Sequence, residues 1–351
     1  MAPDEEKAAT TRACSTEADT QAIETQDTIK HRYLRKLLSL RSVEARGIQP
    51  IPIDERIDKR TYSIFTLWFA MSTNPLPIVT GMTGTLSYGL SLRASALIIL
   101  CFSIPSALPV GYLATLGPKT GMRQIIQARY SFGYWLVSVP VILNLATLTG
   151  FCIIDSVIGG QTLSAVSNGS LTPAVGIIII ALLAMLVCFC GFNVFHQYER
   201  ITLNFQLLIP WLVRAPRALF AVVITAIVIP VAIRAATSFF ASLENFIGVI
   251  GYWTSAFVGV VIVEHAWFRK SDCSSYDHSA WDVAAKLPRG MAALAACVCS
   301  FAVVIPSMAQ IWYTGPIAEH TGDIGFEMAL VLTALLYVPF RYAEIKRQGR
   351  V

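Results

Sequence analysis

The sequence predicts an all-α membrane protein that crosses the bilayer many times, and three observations support this. Of its 351 residues, 55% are hydrophobic and only 14% are charged, whereas about 25% of the residues in soluble domains are charged. The hydrophobic residues lie in long uncharged runs, and about 20 such residues are enough to cross a bilayer as a helix. The basic residues lie mostly between these runs. The lipid bilayer is therefore the expected environment of this chain.

The first sixty residues differ in composition from the rest. They contain many Thr, Ser and Ala, nearly balanced charge and almost no aromatic side chains. Such a segment cannot bury enough apolar surface to fold alone, so we expect residues 1–60 to form a disordered cytoplasmic tail. The segment lacks the apolar core and cleavage site of a signal peptide. The remaining predicted units are a first transmembrane bundle over 61–213, a second over 214–341 and a cytoplasmic tail over 342–351.

Uncharged runs predict the helices in order, and one run is too short to cross the membrane. The runs lie near 62–90, 95–116, 134–160, 173–193, 201–213, 218–233, 245–263, 290–309 and 323–340. At 1.5 Å per residue the run 201–213 covers only ~20 Å of a hydrocarbon core that is about 30 Å thick. The prediction is therefore eight full spans plus a half-helix.

The distribution of Lys and Arg predicts the orientation. With the N-terminal tail inside, the loop that contains Lys119, Arg123 and Arg129 is also inside, and the outer loops around Arg93 and over 159–172 share one basic residue. This matches the positive-inside rule. The basic residues after residue 260 lie on the same inner side only if the run 201–213 does not cross the membrane. They are Arg269, Lys270, Lys286, Arg289 and the cluster from Arg341 to Arg350. Both termini are therefore expected to be cytoplasmic. Because the basic residues serve to orient the chain in the membrane, the net charge of +5 does not require nucleic acid as a partner.

The stretch LLIPWLVRAPRALFAVV, residues 207–223, places two arginines between two apolar runs. Holding Arg214 and Arg217 at the bilayer midplane would cost ~5–7 kcal/mol, at about 2.5–3.5 for each. We therefore interpret this stretch as a stunted half-helix joined to the inner start of a later span.

The first predicted helix contains several residues that interrupt helices. The run TLWFAMSTNPLPIVTGMTGTLSYGL, residues 66–90, contains Pro75, Pro77, Gly81 and Gly84. Prolines remove backbone donors and glycines loosen a helix. Broken helices of this kind expose backbone dipoles at mid-membrane in secondary transporters, where they bind substrate or ions. We predict a hinge of this kind, and the alternative is a kinked helix that serves packing alone.

The third predicted helix contains an acidic residue within an apolar run. Asp155 is the only formally charged residue between Tyr130 and Tyr198, and a carboxylate inside the membrane is costly and indicates a functional site. Phe151 lies four residues earlier and therefore shares a helical face with Asp155. An aromatic ring beside a hydrogen-bonding edge suits a flat heteroaromatic ligand. The alternative is that Asp155 lies near the outer helix end and is merely hydrated.

Other motifs carry less information. Asn168-Gly-Ser170 is a glycosylation sequon in a predicted outer loop, and Glu264-His265 is either a proton relay or an interfacial anchor. Six of the eight cysteines lie in apolar runs, where they are expected to serve helix packing. Because the chain has no phosphate loop, zinc-ligand spacing or catalytic triad, we expect neither an enzyme nor a metal protein.

Several blocks together resemble the fungal purine-cytosine permeases of the nucleobase–cation symporter-1 family. They cover roughly residues 47–350 in order and read GIQPIPIDERIDKRTYSIFTLWF, GPKTGMRQIIQARYSFGYW, IGGQTLSAVS, ENFIGVIGYWTSAFVGVVIVEH, KLPRG and MAQIWYTGPI. The resemblance implies a leucine-transporter-type inverted-repeat fold and proton-coupled uptake of nucleobases across the plasma membrane, with no cofactor besides the proton. Cytosine and purines such as adenine, hypoxanthine and guanine are the implied substrates.

The resemblance also implies the substrate site and reveals a gap. Phe151 and Asp155 look like the family's stacking aromatic and amide positions, where Trp and Asn are usual, and the first-helix binding segment falls around Ser72, Asn74 and Thr80. The family's twelve helices are matched here only by the first four, part of the fifth, and the ninth to twelfth, with the join near Val213–Arg214. The second hypothesis is therefore a truncated, non-transporting membrane protein, either a pseudo-transporter or a partner or regulator of a full-length permease. The partners expected besides substrate and lipid are a second copy of this chain or a full-length relative.

Overall fold

A computed structural model describes residues 48–52, 55–56, 75–190 and 217–349. Its regular secondary structure is helical apart from one short hairpin, and loops join the helices. Its helices are α1 Pro75–Leu86, α2 Leu92–Thr120, α3 Gln124–Leu136, α4 Ser138–Val166, α5 Pro173–Cys190, α6 Arg217–Ala235, α7 Phe239–Val263, α8 Met291–Val304, α9 Ala318–Thr321 and α10 Gly325–Gln348. A π-helical turn, Glu264–Phe268, extends α7, and the hairpin strands are β1 Ala309–Gln310 and β2 Tyr313–Thr314, which pair antiparallel.

The described helices include runs that are long and apolar enough to cross a membrane. They are Leu92–Thr120, Ser138–Val166, Val222–Phe268 and Gly325–Gln348, and two shorter apolar helices are Pro173–Leu186 and Met291–Ser307. The prediction of an all-α membrane protein is therefore confirmed. The run Val222–Phe268 contains 47 residues, or roughly 70 Å at 1.5 Å per residue, so it is more than twice as long as the hydrocarbon core is thick. It includes two predicted spans, and the predicted total of eight spans plus a half-helix remains a prediction.

Two predicted boundaries differ from the structure. The predicted third helix, 134–160, is α4 over Ser138–Val166, and α3 precedes it as a separate helix in which Gly133 has a non-helical φ of 73°. The predicted C-terminal tail, 342–351, is helical as far as Gln348. An ion pair of 2.9 Å between Arg341 and Glu344, three residues apart, supports this extension of α10.

Six of the described helices pack in two groups, with α7 and α4 in contact between them. The first group contains α7, α8 and α10, and the second contains α4, α5 and α6. Buried residues of the first group include Val260, Ala293, Ala296 and Tyr337. The second group is built around Ile154, Val157, Ile177 and Ala232, and Leu243 of α7 packs in the same cluster. Because α7 also packs against α4, residues on these two facing helices connect the groups.

The C-terminal end of α2 is capped by segments that are distant in sequence. The last carbonyls of a helix have no partner within the helix. Here the Arg56 guanidinium donates to the carbonyl oxygens of Pro118 at 3.0 Å and Lys119 at 2.7 Å. The His278 Nε2 atom lies 2.7 Å from the carbonyl oxygen of Thr120. The segment before α1 and the loop after α7 are thereby fastened to the same helix end.

Replacing Gly290 with Ala is expected to destabilise the protein far more than replacing Gly89. Both glycines have positive φ, 79° and 63°, but an added Cβ at Gly290 would lie 1.8 Å from the Phe132 carbonyl oxygen, whereas Gly89 has nothing within 4 Å. The positive φ alone costs about 1–2 kcal/mol for a residue with a Cβ. Thermal unfolding of the purified variants in detergent tests this, with Gly89→Ala as the matched control. Equal melting temperatures would show that the contact with α3 is unimportant.

Candidate functional site

The candidate site is centred on an acidic side chain that projects from the interior of α4. Asp155 is the eighteenth residue of the 29 in this helix, roughly 16 Å from its C-terminal end at 1.5 Å per residue. From Thr147 to Gln161, all of which the structure describes, Asp155 is the one exposed residue. The alternative, in which Asp155 lies near the helix end, is therefore not supported, because α4 continues to Val166.

Asp155 has no hydrogen bond or ion pair to any of the residues that the structure describes. A carboxylate in the middle of a spanning helix costs about 2.5–3.5 kcal/mol on the insertion scale. Such residues usually face a cavity or a partner and indicate a functional site. The structure thus presents a hydrogen-bond acceptor without a partner among the described residues, in a helix that is otherwise buried at this level.

The aromatic side chain of Phe151 lies one turn before Asp155 on the same face of α4. The Phe151 ring packs edge-to-face against Phe246 of α7, with ring centroids 5.2 Å apart and planes at 85°. Gly150 makes this approach possible, since a Cβ there would lie 1.8 Å from Phe246 Cε2. One turn earlier, the Trp253 indole N–H donates to the Thr147 hydroxyl at 3.2 Å. The α4–α7 contact therefore holds Phe151 in place one turn from the carboxylate.

The helix α1 packs beside the same part of α4. Leu76 and Val79 contact the buried cluster that contains Ile154, the residue before Asp155. The Thr80 hydroxyl donates to the carbonyl oxygen of Leu76 at 2.9 Å, and among the described atoms no hydrogen bond joins it to Asp155. The structure thus brings α1 to the site, while Ser72 and Asn74, the other predicted first-helix residues, lie outside the described ranges.

The predicted interruption of the first helix differs from what the structure shows. The helix is continuous from Pro75 to Leu86, so Pro77, Gly81 and Gly84 lie inside it rather than at a break. Proline is well tolerated in the first turn because the amide hydrogens there lack helical partners. At Gly84 an added Cβ would lie 2.6 Å from the Ser95 hydroxyl oxygen of α2, so this glycine permits close packing. Any break at the start of this helix falls among residues before Pro75, which are not described.

Asn168 lies between α4 and α5 and is exposed. Its backbone has a positive φ of 52°, a conformation that Asn adopts more readily than most residues. The side chain is therefore sterically accessible to a modifying enzyme, and glycosylation at this position remains a prediction.

A second polar cluster lies at the opposite end of α7, and we call it the Glu264 network. Glu264 is 1% exposed and accepts hydrogen bonds from Tyr337 at 2.8 Å and from the Arg341 Nε at 3.1 Å. Its other carboxylate oxygen accepts from Arg269 and Arg341, both at 3.2 Å. Both oxygens are thus occupied by donors, which supports an anchoring role for Glu264 over the proton relay.

The loop after the Glu264 network is fastened to α3. The Arg129 guanidinium donates to Asp282 at 2.9 Å and to the Trp281 carbonyl oxygen at 2.7 Å. In the same loop, hydrogen bonds from the backbone and hydroxyl of Ser279 hold the pKa of Asp277 below its ordinary value. Asp277 therefore stays ionised at neutral pH, and the Arg129 contacts hold the loop against the end of the bundle at which Arg129, Arg269 and Arg341 lie.

Sequence reasoning assigned no role to two aromatic residues of α7 that contact α4, Phe246 and Trp253. They lie seven residues apart on α7, close to two full turns, and therefore on one face of the helix. This spacing was the available signal. The contact with α4 could not be predicted from the sequence, because its residues are far apart in the chain. Thr147 and Trp253, for example, are separated by 106 positions.

Comparison with known proteins identifies relatives. Residues 50–207 match the family described as permease for cytosine/purines, uracil, thiamine, allantoin. The chain is 22% identical over 469 aligned residues to the purine-cytosine permease fcyB of Emericella nidulans, an alignment that covers 90% of this chain and 92% of that protein. It is 28% identical over 197 residues to the purine-cytosine permease FCY2 of Saccharomyces cerevisiae, covering 55% and 37%. It is 31% identical over 161 residues to the vitamin B6 transporter TPN1 of the same yeast, covering 45% and 28%. No solved structure matches the chain.

The alignment lengths show that parts of these relatives have no counterpart here. The Emericella alignment has 469 positions and this chain has 351 residues, so at least 118 positions contain no residue of this chain. The matches to the two yeast proteins span only 37% and 28% of their lengths. The family match ends at residue 207, close to the predicted join at Val213–Arg214. That join and the half-helix 201–213 lie outside the described residues, so the position of the gap remains a prediction.

Proposed function

This chain belongs to the purine-cytosine permease family, and from that premise we propose that it imports nucleobases by proton symport, with Asp155 and Phe151 in contact with the base. The observation that carries the proposal is the exposed Asp155 carboxylate in the middle of α4. A transporter that binds a polar, flat solute within the bilayer needs such an acceptor beside an aromatic face. The proposal places the protein in the plasma membrane with both termini in the cytoplasm.

The chemistry of the site favours bases with exocyclic amino groups. An ionised carboxylate only accepts hydrogen bonds, through two oxygens. Cytosine offers an amino donor at N4, adenine at N6 and guanine at N2. Hypoxanthine lacks an exocyclic amino group and therefore has one donor fewer for Asp155. The Phe151 ring, positioned by Phe246 at 5.2 Å, supplies a face for stacking, which is worth about 1–3 kcal/mol per base in other proteins that bind bases.

Uptake measurements in a fungal strain without its own nucleobase carriers test the proposed function. We expect the chain to support accumulation of radiolabelled cytosine or adenine, and unlabelled amino-bearing bases to compete better than hypoxanthine. A protonophore should abolish accumulation if protons drive it. The exposed Glu319 on the short helix α9 provides a control, Glu319→Gln, that should transport like the unmodified chain.

Two results would count against parts of this proposal. Accumulation that persists with a protonophore would remove the proton as coupling ion and leave the substrate assignment in place. Absence of uptake by a chain that reaches the plasma membrane, together with absence of base binding by the purified protein, would overturn the transport function itself.

A further inference from the structure

A cavity of about 240 Å³ lies between α3, α4, α7 and α8, and Asp155 is not among the residues that line it. Its lining includes four aromatic rings and two leucines, namely Phe132, Leu143, Trp253, Phe257, Leu294 and Phe301. The one indole N–H in this set, that of Trp253, already donates to Thr147 at 3.2 Å. The cavity therefore offers almost no hydrogen-bonding group to a ligand, and a nucleobase would lose its hydration there without replacement.

The size and lining of the cavity indicate an apolar occupant. An engineered cavity of about 150 Å³ lined by Leu, Ile and Phe stays dry and binds benzene. The present cavity is larger, at about 240 Å³, and is equally apolar. Water needs two to four polar partners in such a space, and the lining does not provide them. Hydrocarbon is the ligand chemistry that matches.

The cavity is open to the outside on an apolar surface, which we expect to face the bilayer. Three lining residues at the mouth are exposed, with Val139 at 39%, Leu143 at 38% and Val298 at 64%. All three are aliphatic and lie on apolar helices, α4 and α8. A hydrocarbon chain in the surrounding lipid reaches this mouth without crossing water or a polar surface.

A cation lies at the end of the cavity where α8 begins. Arg289 is exposed, and its backbone packs against α3, since a Cβ at Gly133 would lie 2.9 Å from the Arg289 carbonyl carbon. The next residue of α3 toward its start, Phe132, lines the cavity. Within the described ranges the Arg289 guanidinium forms no hydrogen bond or ion pair. An exposed basic residue beside an apolar membrane-spanning surface attracts anionic lipid headgroups.

We propose that this cavity and Arg289 form a binding site for an anionic phospholipid of the leaflet on the basic side. One acyl chain occupies the cavity against Trp253, and the phosphate pairs with the Arg289 guanidinium. The site lies at the junction of the two helix groups, because Leu143 belongs to α4 while Trp253 and Leu294 belong to α7 and α8. A bound lipid would therefore bridge the two groups. The proposal does not depend on the transport function.

Quenching of Trp253 fluorescence by brominated acyl chains tests the site. The full chain is reconstituted in zwitterionic vesicles that contain a minor fraction of brominated phosphatidylglycerol or, separately, brominated phosphatidylcholine. The signal of Trp253 is the difference between the unmodified chain and Trp253→Phe. We expect quenching that corresponds to roughly fivefold local enrichment of the anionic over the zwitterionic brominated lipid.

Three variants make the test specific. Arg289→Gln should remove the preference for the anionic lipid, and Val298→Phe at the mouth should reduce quenching by both lipids. Val331→Phe, at another exposed aliphatic position on α10 that does not line the cavity, should leave quenching unchanged. Equal quenching by the two lipids in the unmodified chain, or no effect of Val298→Phe, would overturn the proposal.

Discussion

Glu264→Ala is expected to prevent accumulation of the folded protein, because it leaves buried positive charge without a counterion. Arg341 is completely buried, and Arg269 is only 8% exposed. The network contains two acidic groups, Glu264 and Glu344, and two basic groups, so that it is neutral as a whole. Removing one partner of a buried ion pair costs about 3–5 kcal/mol, a large fraction of the 5–15 kcal/mol that stabilises a typical protein.

The measurement is the amount of monodisperse protein in detergent extracts, together with the melting temperature of what is recovered. Glu319→Ala removes an exposed carboxylate and should change neither quantity. A rescue variant distinguishes charge imbalance from lost packing. The double variant Glu264→Gln with Arg341→Met restores neutrality and should accumulate better than Glu264→Gln alone. If the single and double variants behave alike, the charge balance of the network is not what stabilises it.

Asp155→Ala is expected to weaken base binding strongly while leaving the protein at least as stable as before. The carboxylate has no partner among the described residues and is exposed, so its removal breaks no internal contact. It also removes a charge that disfavours insertion by about 2.5–3.5 kcal/mol. Hydrogen bonds from a ligand to a charged group are worth about 1.5–3 kcal/mol, so affinity should fall roughly 10- to 150-fold.

Weaker base binding by Asp155→Ala, together with unchanged thermal stability, is the result that would assign Asp155 to the site. Equilibrium binding of labelled cytosine and adenine to purified protein is measured beside the melting temperature. Asp155→Asn keeps the shape and adds a donor, so it should bind more weakly than the unmodified chain and discriminate less between amino-bearing bases and hypoxanthine. Thr162→Ala, at an exposed position two turns further along α4, is the matched control. Unchanged affinity in Asp155→Ala would exclude this residue from the site.

The sequence predicted the helices well because hydrophobicity along the chain is a local property. The runs near 95–116, 218–233 and 323–340 correspond to α2, α6 and α10 within a few residues, apart from the C-terminal end of α10. That end was missed because residues 342–351, which include Glu344, were interpreted as a cytoplasmic tail, whereas Glu344 pairs with Arg341, itself a partner of Glu264, 77 residues earlier in the chain. Pairing across such separations leaves no trace in local composition.

The candidate site was predictable only in part, for the same reason. Phe151 and Asp155 stood out because a single helix displays them one turn apart, so local spacing was sufficient. Phe246 belongs to another helix, and its approach depends on the missing side chain at Gly150. A glycine in an apolar run has many possible meanings, and only the packed structure shows that this one admits an aromatic ring.

The contacts that close the basic end of the bundle also have a consequence for the order of synthesis. The partner of the Thr120 carbonyl is His278, which is synthesised 158 residues later. The partner of the Tyr130 carbonyl is Arg341, which is synthesised 211 residues later. Arg56, in contrast, leaves the ribosome before the helix end that it caps. The end of α2 can therefore be closed once His278 has been made, whereas the Tyr130 carbonyl of α3 gains its partner only with α10. A chain that stops before Arg341 would leave Glu264 paired with Arg269 alone among the described residues, so the neutral network is complete only once the last helix has been made.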